Sequence, residues 1–187
     1  MKIIVASSGK GLLVGVRLLQ VLKKLGVETH LVLDDYSDEE ISAETGLRRS
    51  DLISLAQHTY SNRDFTAPIA SGSYSVDGMI IAPCSLTRAA DLAQGYADDL
   101  IGRAADVTLK EGRILIVSPT ETPLSKYDVR NLIMLAEAGA TILPIIPLFY
   151  TGVESLNEAI EQIIGRMLDR FKLSHNLYKP WGSSGVR

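Results

Sequence analysis

The sequence predicts an α/β protein with a doubly wound parallel β-sheet that carries helices on both faces. Short apolar runs rich in β-branched residues alternate with longer segments of helical period, a pattern typical of this class. The runs IIVA, MIIA and ILIV are apolar at every position, which indicates strands that are covered on both sides. The predicted strands are Lys2–Ala6, Thr29–Leu33, Gly78–Ala82, Arg113–Val117 and Thr141–Leu143.

Helical periodicity places the first helices between these strands. The segment GLLVGVRLLQVLKKLG repeats apolar residues at helical spacing and ends in Lys23, Lys24 and Gly26, a basic last turn with a glycine stop. In the more polar residues 35–68, the only predicted helix lies at about residues 49–57.

Three further helices follow in the second half of the chain. Residues 86–110 predict a helix in two pieces that is broken near Gly95, and another helix runs from Ser125 to about Glu137. The last helix has one apolar stripe, which favours packing against a core. The stripe consists of Leu156, Ile160, Ile163, Ile164, Met167, Leu168 and Phe171.

Length and composition indicate an ordinary globular domain. The chain has 187 residues, of which 46% are hydrophobic and 22% charged, which excludes disorder over most of its length. We expect residues 1–187 to form a single α/β domain, with a C-terminal tail from about residue 174. The net charge of −3 argues against a nucleic-acid partner.

Cysteine and histidine usage favours a cytoplasmic protein without a metal site. The single Cys84 has no intrachain disulfide partner, and His30, His58 and His175 lack the spacing of metal ligands. The first apolar run is too short for the core of a signal peptide, and no stretch reaches 18 uninterrupted apolar residues. We therefore expect no membrane span.

The residues that follow the strands are the candidates for a binding site, because ligands of doubly wound sheets lie beyond the carboxyl ends of the strands. The loop Ser7–Gly11 precedes a helix and suits an anion such as phosphate, although an ordinary turn is the alternative. Ser85, Thr87 and Arg88 follow the third predicted strand, and two interpretations stay open. Either the two hydroxyls cap the next helix, or they form an anion-binding site together with Arg88. Cys84 is interpreted as a small buried residue rather than a nucleophile.

Charged and aromatic residues in the second half add three features. Arg103, Asp106 and Lys110 share one helical face, which ordinarily indicates ion pairs on a solvated surface. Glu121 lies in a proline-bounded turn that can aim a carboxylate into a cleft. Tyr150 ends an apolar segment and suits a ligand with an apolar body and a polar head.

Six stretches resemble the UbiX-like flavin prenyltransferase family over nearly the whole chain: GVRLLQVL, VETHLVL, IASGSYSVDGMIIAPCS, GRAADVTLKEGR, ETPLS and PLFY, the last followed by a helix with an arginine. The resemblance implies a flavodoxin-like, Rossmann-like fold and a homo-oligomer, a dodecamer with active sites between subunits. It also implies metal-independent transfer of a dimethylallyl group from dimethylallyl phosphate to N5 and C6 of reduced FMN. A UbiD-like decarboxylase then uses the prenylated flavin.

The resemblance also assigns roles to individual residues. It places Lys110, Tyr150 and Arg166 on the prenyl phosphate, and Glu44, Glu121 and Lys110 in the catalytic machinery. The implied flavin-binding residues are Ser8, Gly9, Lys10, Asp34, Ser85, Leu86, Thr87, Arg88, Arg103 and Thr120.

Four of those flavin-side residues depart from the family pattern. Lys10 and Asp34 stand where the family has flavin-contacting serines, Arg88 replaces a threonine, and Thr120 replaces an arginine. These departures leave open a rearranged FMN site, another flavin form, or a flavin- or nucleotide-binding paralogue without transferase activity. A cysteine-decarboxylase activity is disfavoured because the sequence has no PxMNxxMW-like segment and no suitable histidine.

The sequence leads to two further structural expectations. Lys10 and Asp34 follow adjacent strands, so we expect their charges to be neighbours that compensate each other. The small-residue loop Ala70–Ser75 and the apolar segment Pro144–Phe149 predict contacts between subunits of a large homo-oligomer.

Overall fold

A computed structural model describes residues 1–182, which divide into two compact units at Pro144 and Ile145. The last five residues of the predicted tail lie outside the described residues. The single domain over residues 1–187 stays a prediction.

The first unit contains a six-stranded parallel sheet with strand order β3-β2-β1-β4-β5-β6. All five predicted strands are present, and the α/β class is confirmed. The strands are β1 (Lys2–Ser8), β2 (Glu28–Leu33), β3 (His58–Ser61), β4 (Gly78–Cys84), β5 (Ile114–Pro119) and β6 (Thr141–Ile142).

Strand β3 is the strand that the sequence did not predict. Its four residues, HTYS, are largely exposed at the edge of the sheet and carry no apolar run. It pairs with β2 through the backbone, with His30 aligned to His58, and through the side chains of His58 and Tyr60, which contact His30. A short polar edge strand of this kind leaves no hydrophobic pattern to detect.

Both faces of the sheet are buried, as the uniformly apolar strands predict. On one face, Ala6, Ile81 and Val117 belong to the core formed with the helices α4 to α6. On the other face, α1 packs against β1, β2 and β4. The helices of this unit are α1 (Leu12–Lys24), α2 (Asp38–Thr45), α3 (Arg49–Ile53), α4 (Leu86–Ala93), α5 (Leu100–Lys110) and α6 (Lys126–Glu137).

Helix α2 was also missed by the sequence analysis. Its segment DEEISAET buries only Ile41, so it lacks the apolar stripe that marks a packed helix. A capping box defines its start instead: Ser37 accepts from the Glu40 backbone N–H, and the Glu40 carboxylate accepts from that of Ser37. The predicted helix at 49–57 is present but ends at Ile53.

The second unit is built around helix α7 (Leu156–Arg170), which Ser155 caps by accepting from the Glu158 backbone N–H. Gln162 of this helix accepts from the Leu148 backbone N–H at 3.1 Å and so holds the chain that precedes it. Within residues 1–182, no helix combines the length and apolar character needed to cross a bilayer.

The amino ends of β2 and β3 bring together a cluster of rings. His30 is fully buried, with Nδ1 2.9 Å from the Tyr60 hydroxyl and Nε2 3.2 Å from a Glu28 carboxylate oxygen. Its ring stacks on that of His58 with centroids 4.6 Å apart. Burial and the nearby His58 lower the pKa of His30 below its ordinary value.

This lowered pKa predicts a loss of stability in acid. An unfolded histidine titrates near pH 6.5 and the folded one below that, so the unfolded chain binds more protons as the pH falls through about 6.5. We expect the free energy of unfolding to decrease between pH 7.5 and 5.5, and to decrease less in His30→Gln. Denaturant titrations at both pH values measure this, with His175→Gln as the matched control. If His30→Gln had the same pH dependence as wild type, His30 would not be the source of the loss of stability in acid.

Candidate functional site

The strand order places a crevice at the carboxyl ends of β1 and β4. The chain leaves β1 towards β2 on one side and leaves β4 towards β5 on the other, so the connections diverge between these two neighbouring strands. Such a switch point is where doubly wound sheets bind ligands. The predicted site segments Ser8–Leu12 and Ser85–Arg88 both lie here.

The loop after β1 is closely packed against the loops after β4 and β5. Gly9 and Gly11 have φ angles of 91° and 100°, which only glycine adopts readily. A Cβ at Gly9 would lie 2.7 Å from the Ser85 Cβ, so no side chain fits there. The Thr120 hydroxyl donates to the Lys10 carbonyl oxygen at 3.0 Å. The structure therefore brings Gly9, Lys10, Ser85 and Thr120 together, and their contact with a flavin stays a prediction.

Glu44 caps the N-terminus of α1 from outside that helix. Its Oε2 accepts from the backbone N–H groups of Gly11 and Leu12, both at 2.8 Å. Because Gly11 has no side chain with which to cap α1, the carboxylate from α2 satisfies these donors instead. Its Oε1 is buried without a hydrogen bond, 3.6 Å from the Lys10 ammonium.

The N-terminus of α4 is occupied in a similar way. Glu121 Oε1 accepts from the Leu86 backbone N–H at 2.8 Å. The Ser85 hydroxyl accepts from the Arg88 backbone N–H at 3.1 Å, so the capping interpretation of Ser85 is confirmed. Thr87 is exposed and does not cap this helix. Both predicted catalytic glutamates thus contact the first turn of a helix at the crevice.

Arg88 is the centre of a buried polar network. Its guanidinium binds both carboxylate oxygens of Asp99, at 2.6 and 3.1 Å, and Asp34 at 3.2 Å. The Asn62 side-chain amide donates to Asp99 at 2.9 Å and to Asp34 at 3.1 Å. Ser8 donates to Asp34 at 2.6 Å. Five side chains from different segments are therefore fixed relative to one another.

The two flavin-side charges predicted to compensate each other have other partners. Lys10 pairs with Glu40 at 2.7 Å, and Asp34 pairs with Arg88, so each charge has another partner. The Glu40 pair was not expected, because Glu40 lies on α2, which the sequence did not predict. Lys10 and Asp34 line one cavity, and the compensation between their charges stays a prediction. Burial opposes ionisation of Asp34, but the Ser8 hydrogen bond and the Arg88 charge hold its pKa below the usual value.

A cavity of about 210 Å³ opens beside this network. Its lining residues are Gly9, Lys10, Asp34, Asp35, Tyr36 and Glu40. The Tyr36 hydroxyl donates to the Gly9 carbonyl oxygen, and burial raises the pKa of Tyr36. Three carboxylates and one ammonium group therefore surround the cavity.

Two residues of the network, Asn62 and Asp99, were missed by the sequence analysis. A signal existed for Asp99, because it precedes an apolar-periodic run and caps α5 by accepting from the Gly102 backbone N–H at 2.8 Å. Asn62 had no such signal, since it follows the undetected strand β3. Cys84 is fully buried, which confirms it as a core residue, and burial raises the pKa of its thiol to about 12 and so disfavours the reactive thiolate.

The remaining predicted site residues of the first unit lie on α5. Asp106 pairs with Lys110 at 2.6 Å and with Arg103 at 3.4 Å, so the predicted ion pairs on this helix are confirmed. Glu111 pairs with Arg113 at 3.6 Å. Arg103 also donates to the Ala70 carbonyl oxygen at 3.0 Å. Its flavin contact stays a prediction.

In the second unit, Arg166 and Tyr150 have partners of their own. Arg166 contacts Asp169 at 2.8 Å and the Tyr178 hydroxyl at 3.1 Å. Tyr150 packs edge-on against Trp181, with ring centroids 5.1 Å apart. The convergence of these two residues with Lys110 on one phosphate stays a prediction.

One group in residues 1–182 has the ligand types of a metal site. It consists of Glu28, His30 and His58, whose candidate ligand atoms lie within 4.8 Å of one another. The sequence showed no metal spacing because strand pairing, rather than local sequence, unites the two histidines. The Lys2 ammonium lies 3.7 Å from the same Glu28 carboxylate, at the amino ends of β1 and β2 and therefore at the opposite end of the strands from the crevice.

Comparison with known proteins gives a consistent family match. Residues 1–170 match the family model described as Flavoprotein. The mitochondrial flavin prenyltransferase of Saccharomyces cerevisiae is 45% identical over 181 residues, covering 96% of this chain and 75% of that protein. A probable UbiX-like flavin prenyltransferase of Bacillus subtilis is 44% identical and covers 96% of this chain and 89% of its own length.

Two solved structures are similar over almost their full length. A dodecameric FMN-dependent UbiX-like decarboxylase from Escherichia coli O157:H7 has a TM-score of 0.93 at 40% identity, with 97% of this chain and 99% of that chain covered. AnUbiX (PadA1), solved with FMN and dimethylallyl pyrophosphate, has a TM-score of 0.92 at 41% identity and 96% coverage of both chains.

The Arg88 network predicts a large effect of losing its buried carboxylate. Asp99→Asn can still cap α5 but leaves the buried guanidinium with a neutral partner, and breaking a buried pair costs about 3–5 kcal/mol. We expect the free energy of unfolding, measured in urea, to fall by that order. Asp35→Asn, which disrupts an exposed pair with Arg63, is the control and should change it far less. Equal effects of the two changes would show that the network contributes little.

Proposed function

The chain belongs to the flavin prenyltransferase family of flavoproteins, and on this basis we propose that it transfers a dimethylallyl group to N5 and then C6 of a reduced flavin. The donor would be dimethylallyl phosphate, and the flavin FMN, as the family resemblance implies. The observation that carries the proposal is the 41% identical structure solved with FMN and dimethylallyl pyrophosphate, which covers 96% of this chain. The crevice at the switch point between β1 and β4 supports the proposal, because doubly wound sheets bind ligands there, and we assign it as the flavin site.

The chemistry assigns a task to the positively charged residues. The allylic C–O bond breaks with both electrons passing to the departing phosphate, so negative charge grows there in the transition state. Lys110, Arg166 and the Tyr150 hydroxyl would stabilise that charge more than they stabilise the ground state. No metal is needed for this step, and we expect transfer to persist in EDTA.

Closing the bond to C6 would require a proton on the double bond of the transferred group, attack of C6 on the tertiary cation that results, and loss of the C6 proton. Glu121 and Glu44 are the candidate groups for these two proton transfers, and the released phosphate is a further base. Each carboxylate has one oxygen engaged by backbone N–H groups, which orients it and leaves its second oxygen for a proton. The proposed product would serve a UbiD-like decarboxylase in the cytoplasm.

A flavin-binding paralogue without transferase activity is the second candidate. It is favoured by the observation that Arg88, Lys10 and both helix N-termini of the crevice already bind carboxylates of the chain itself. The transfer assay below separates the two candidates.

We further propose a homo-oligomer, a dodecamer as in the relative from Escherichia coli O157:H7. Helix α6 supports this, because it buries Leu135 but exposes several large apolar side chains. Its exposed residues include Tyr127, Val129, Ile133 and Met134.

The transfer assay is anaerobic incubation with dimethylallyl phosphate and reduced FMN or reduced riboflavin, followed by mass spectrometry of the released flavin. We expect the flavin to gain one five-carbon prenyl unit. Arg166→Ala removes a charge-assisted contact and should slow transfer about tenfold to a hundredfold. Arg170→Ala, an exposed arginine of the same helix, is the matched control. Bound flavin that never gains the prenyl mass would establish the inactive paralogue instead.

The assembly is tested by light scattering at micromolar concentration. We expect a mass many times that of the 20.3 kDa chain. Placing a charge in the exposed apolar face of α6, as in Ile133→Glu, should lower that mass, because a buried unpaired charge is costly. Lys126→Glu on the same helix is the control, and a monomeric wild-type protein would refute the proposal.

A further inference from the structure

We propose that Asp34 makes the crevice selective for a flavin whose side chain ends in a hydroxyl group, as in riboflavin, over one that ends in phosphate, as in FMN. The inference rests on the proposed flavin site, and it assigns to that site riboflavin in place of the FMN that the family resemblance implies. It comes from the charges that surround the loop after β1.

Every group described above that would ordinarily attract a phosphate there already binds a carboxylate. The N-terminus of α1 donates to Glu44, and that of α4 donates to Glu121. Arg88 is bound at both terminal nitrogens by Asp99, and Lys10 lies 2.7 Å from Glu40. A phosphate would have to displace one of these internal anions before it gained a partner.

The cavity beside the loop is also unfavourable to a dianion. Asp34, Asp35 and Glu40 line it, against the single ammonium of Lys10. Like charges at such distances repel, and more strongly where solvent is partly excluded. The phosphate group of FMN therefore does not fit the charges that line this cavity beside the crevice.

Of the three carboxylates that line the cavity, Asp34 is the one that hydrogen bonds hold most firmly in place. It receives hydrogen bonds from Ser8, Asn62, Arg88 and the Asp35 backbone N–H, so it cannot turn away from an incoming anion. Although burial opposes ionisation, Ser8, Arg88 and the Asp35 backbone N–H hold the pKa of Asp34 below its ordinary value. Asp35 and Glu40, by contrast, are more exposed.

Hydroxyl groups meet no such penalty in the cavity. A hydroxyl donates a hydrogen bond to a carboxylate, and a charged acceptor makes the bond stronger than a neutral one does. An acidic residue at the end of the second strand, just beyond a glycine-containing first loop, is also how doubly wound folds bind the hydroxyls of a sugar. Asp34 has that position, at the end of β2 and hydrogen-bonded to the loop through Ser8.

The experiment compares the dissociation constants of riboflavin and FMN, measured by flavin fluorescence with the full-length protein at low and high salt. We expect riboflavin to bind wild type at least tenfold more tightly than FMN at low salt. High salt should narrow the difference, because it screens the repulsion of the phosphate. Asp34→Ser should change the ratio of the two dissociation constants at least tenfold in favour of FMN.

Two further variants control the result. Asp34→Asn removes the charge but keeps a side chain of the same shape, and it should shift the ratio in the same direction. Both variants should fold, because Arg88 retains its two contacts with Asp99. Asp38→Asn removes an exposed carboxylate of α2 that pairs with Arg49 outside the cavity, and it should leave the ratio unchanged.

The outcomes separate this inference from the proposed function. Tighter binding of FMN than of riboflavin by wild type, or an unchanged ratio in both Asp34 variants, overturns the selectivity and leaves prenyl transfer untouched. Selective riboflavin binding without prenyl transfer upholds the inference and refutes the transferase. Failure of both flavins to bind at millimolar concentration refutes both.

Discussion

The buried guanidinium of Arg88 is the constraint on which the candidate site depends. A charge removed from water must be matched by opposite charge and by hydrogen bonds, which Asp99 and Asp34 supply. Asn62 holds both carboxylates in place by donating to each of them. Asp99 lies at the start of α5, Asp34 just after β2 and Asn62 just after β3, and Ser8 links the network to β1. One arginine thus holds together the segments that follow four neighbouring strands.

Much of the fold follows from hydrophobic periodicity, and the parts that do not follow share one physical cause. The central strands and α1 bury nearly every apolar side chain, so their patterns are visible in the sequence. Strand β3 and helix α2 are held by backbone pairing and by a capping box, and they bury few apolar groups. Interactions between polar groups leave little trace in hydrophobic periodicity.

The same limit explains what could be predicted about the site. Strand ends and glycines identified the crevice, and the family resemblance identified Glu44 and Glu121 as residues that would lie there. The partners of Lys10 and Arg88 were not predictable, because Glu40 lies on a helix without an apolar stripe and Asp99 is distant from Asp34 in sequence. The Lys10 pair depended on a helix that the sequence did not reveal, and the Arg88 pairs depended on contacts between segments that are distant in sequence.

The edges of the sheet bear on how copies of the chain associate. The two edge strands contain only four and two residues, and the longer one, β3, is polar and largely exposed. Short polar edges offer few unpaired backbone groups, which disfavours pairing with a strand of another molecule. Side chains, rather than backbone ladders, would then make the contacts of the proposed oligomer. Such contacts close into a particle of fixed size where the rotation between copies closes, and they extend into a filament where it does not.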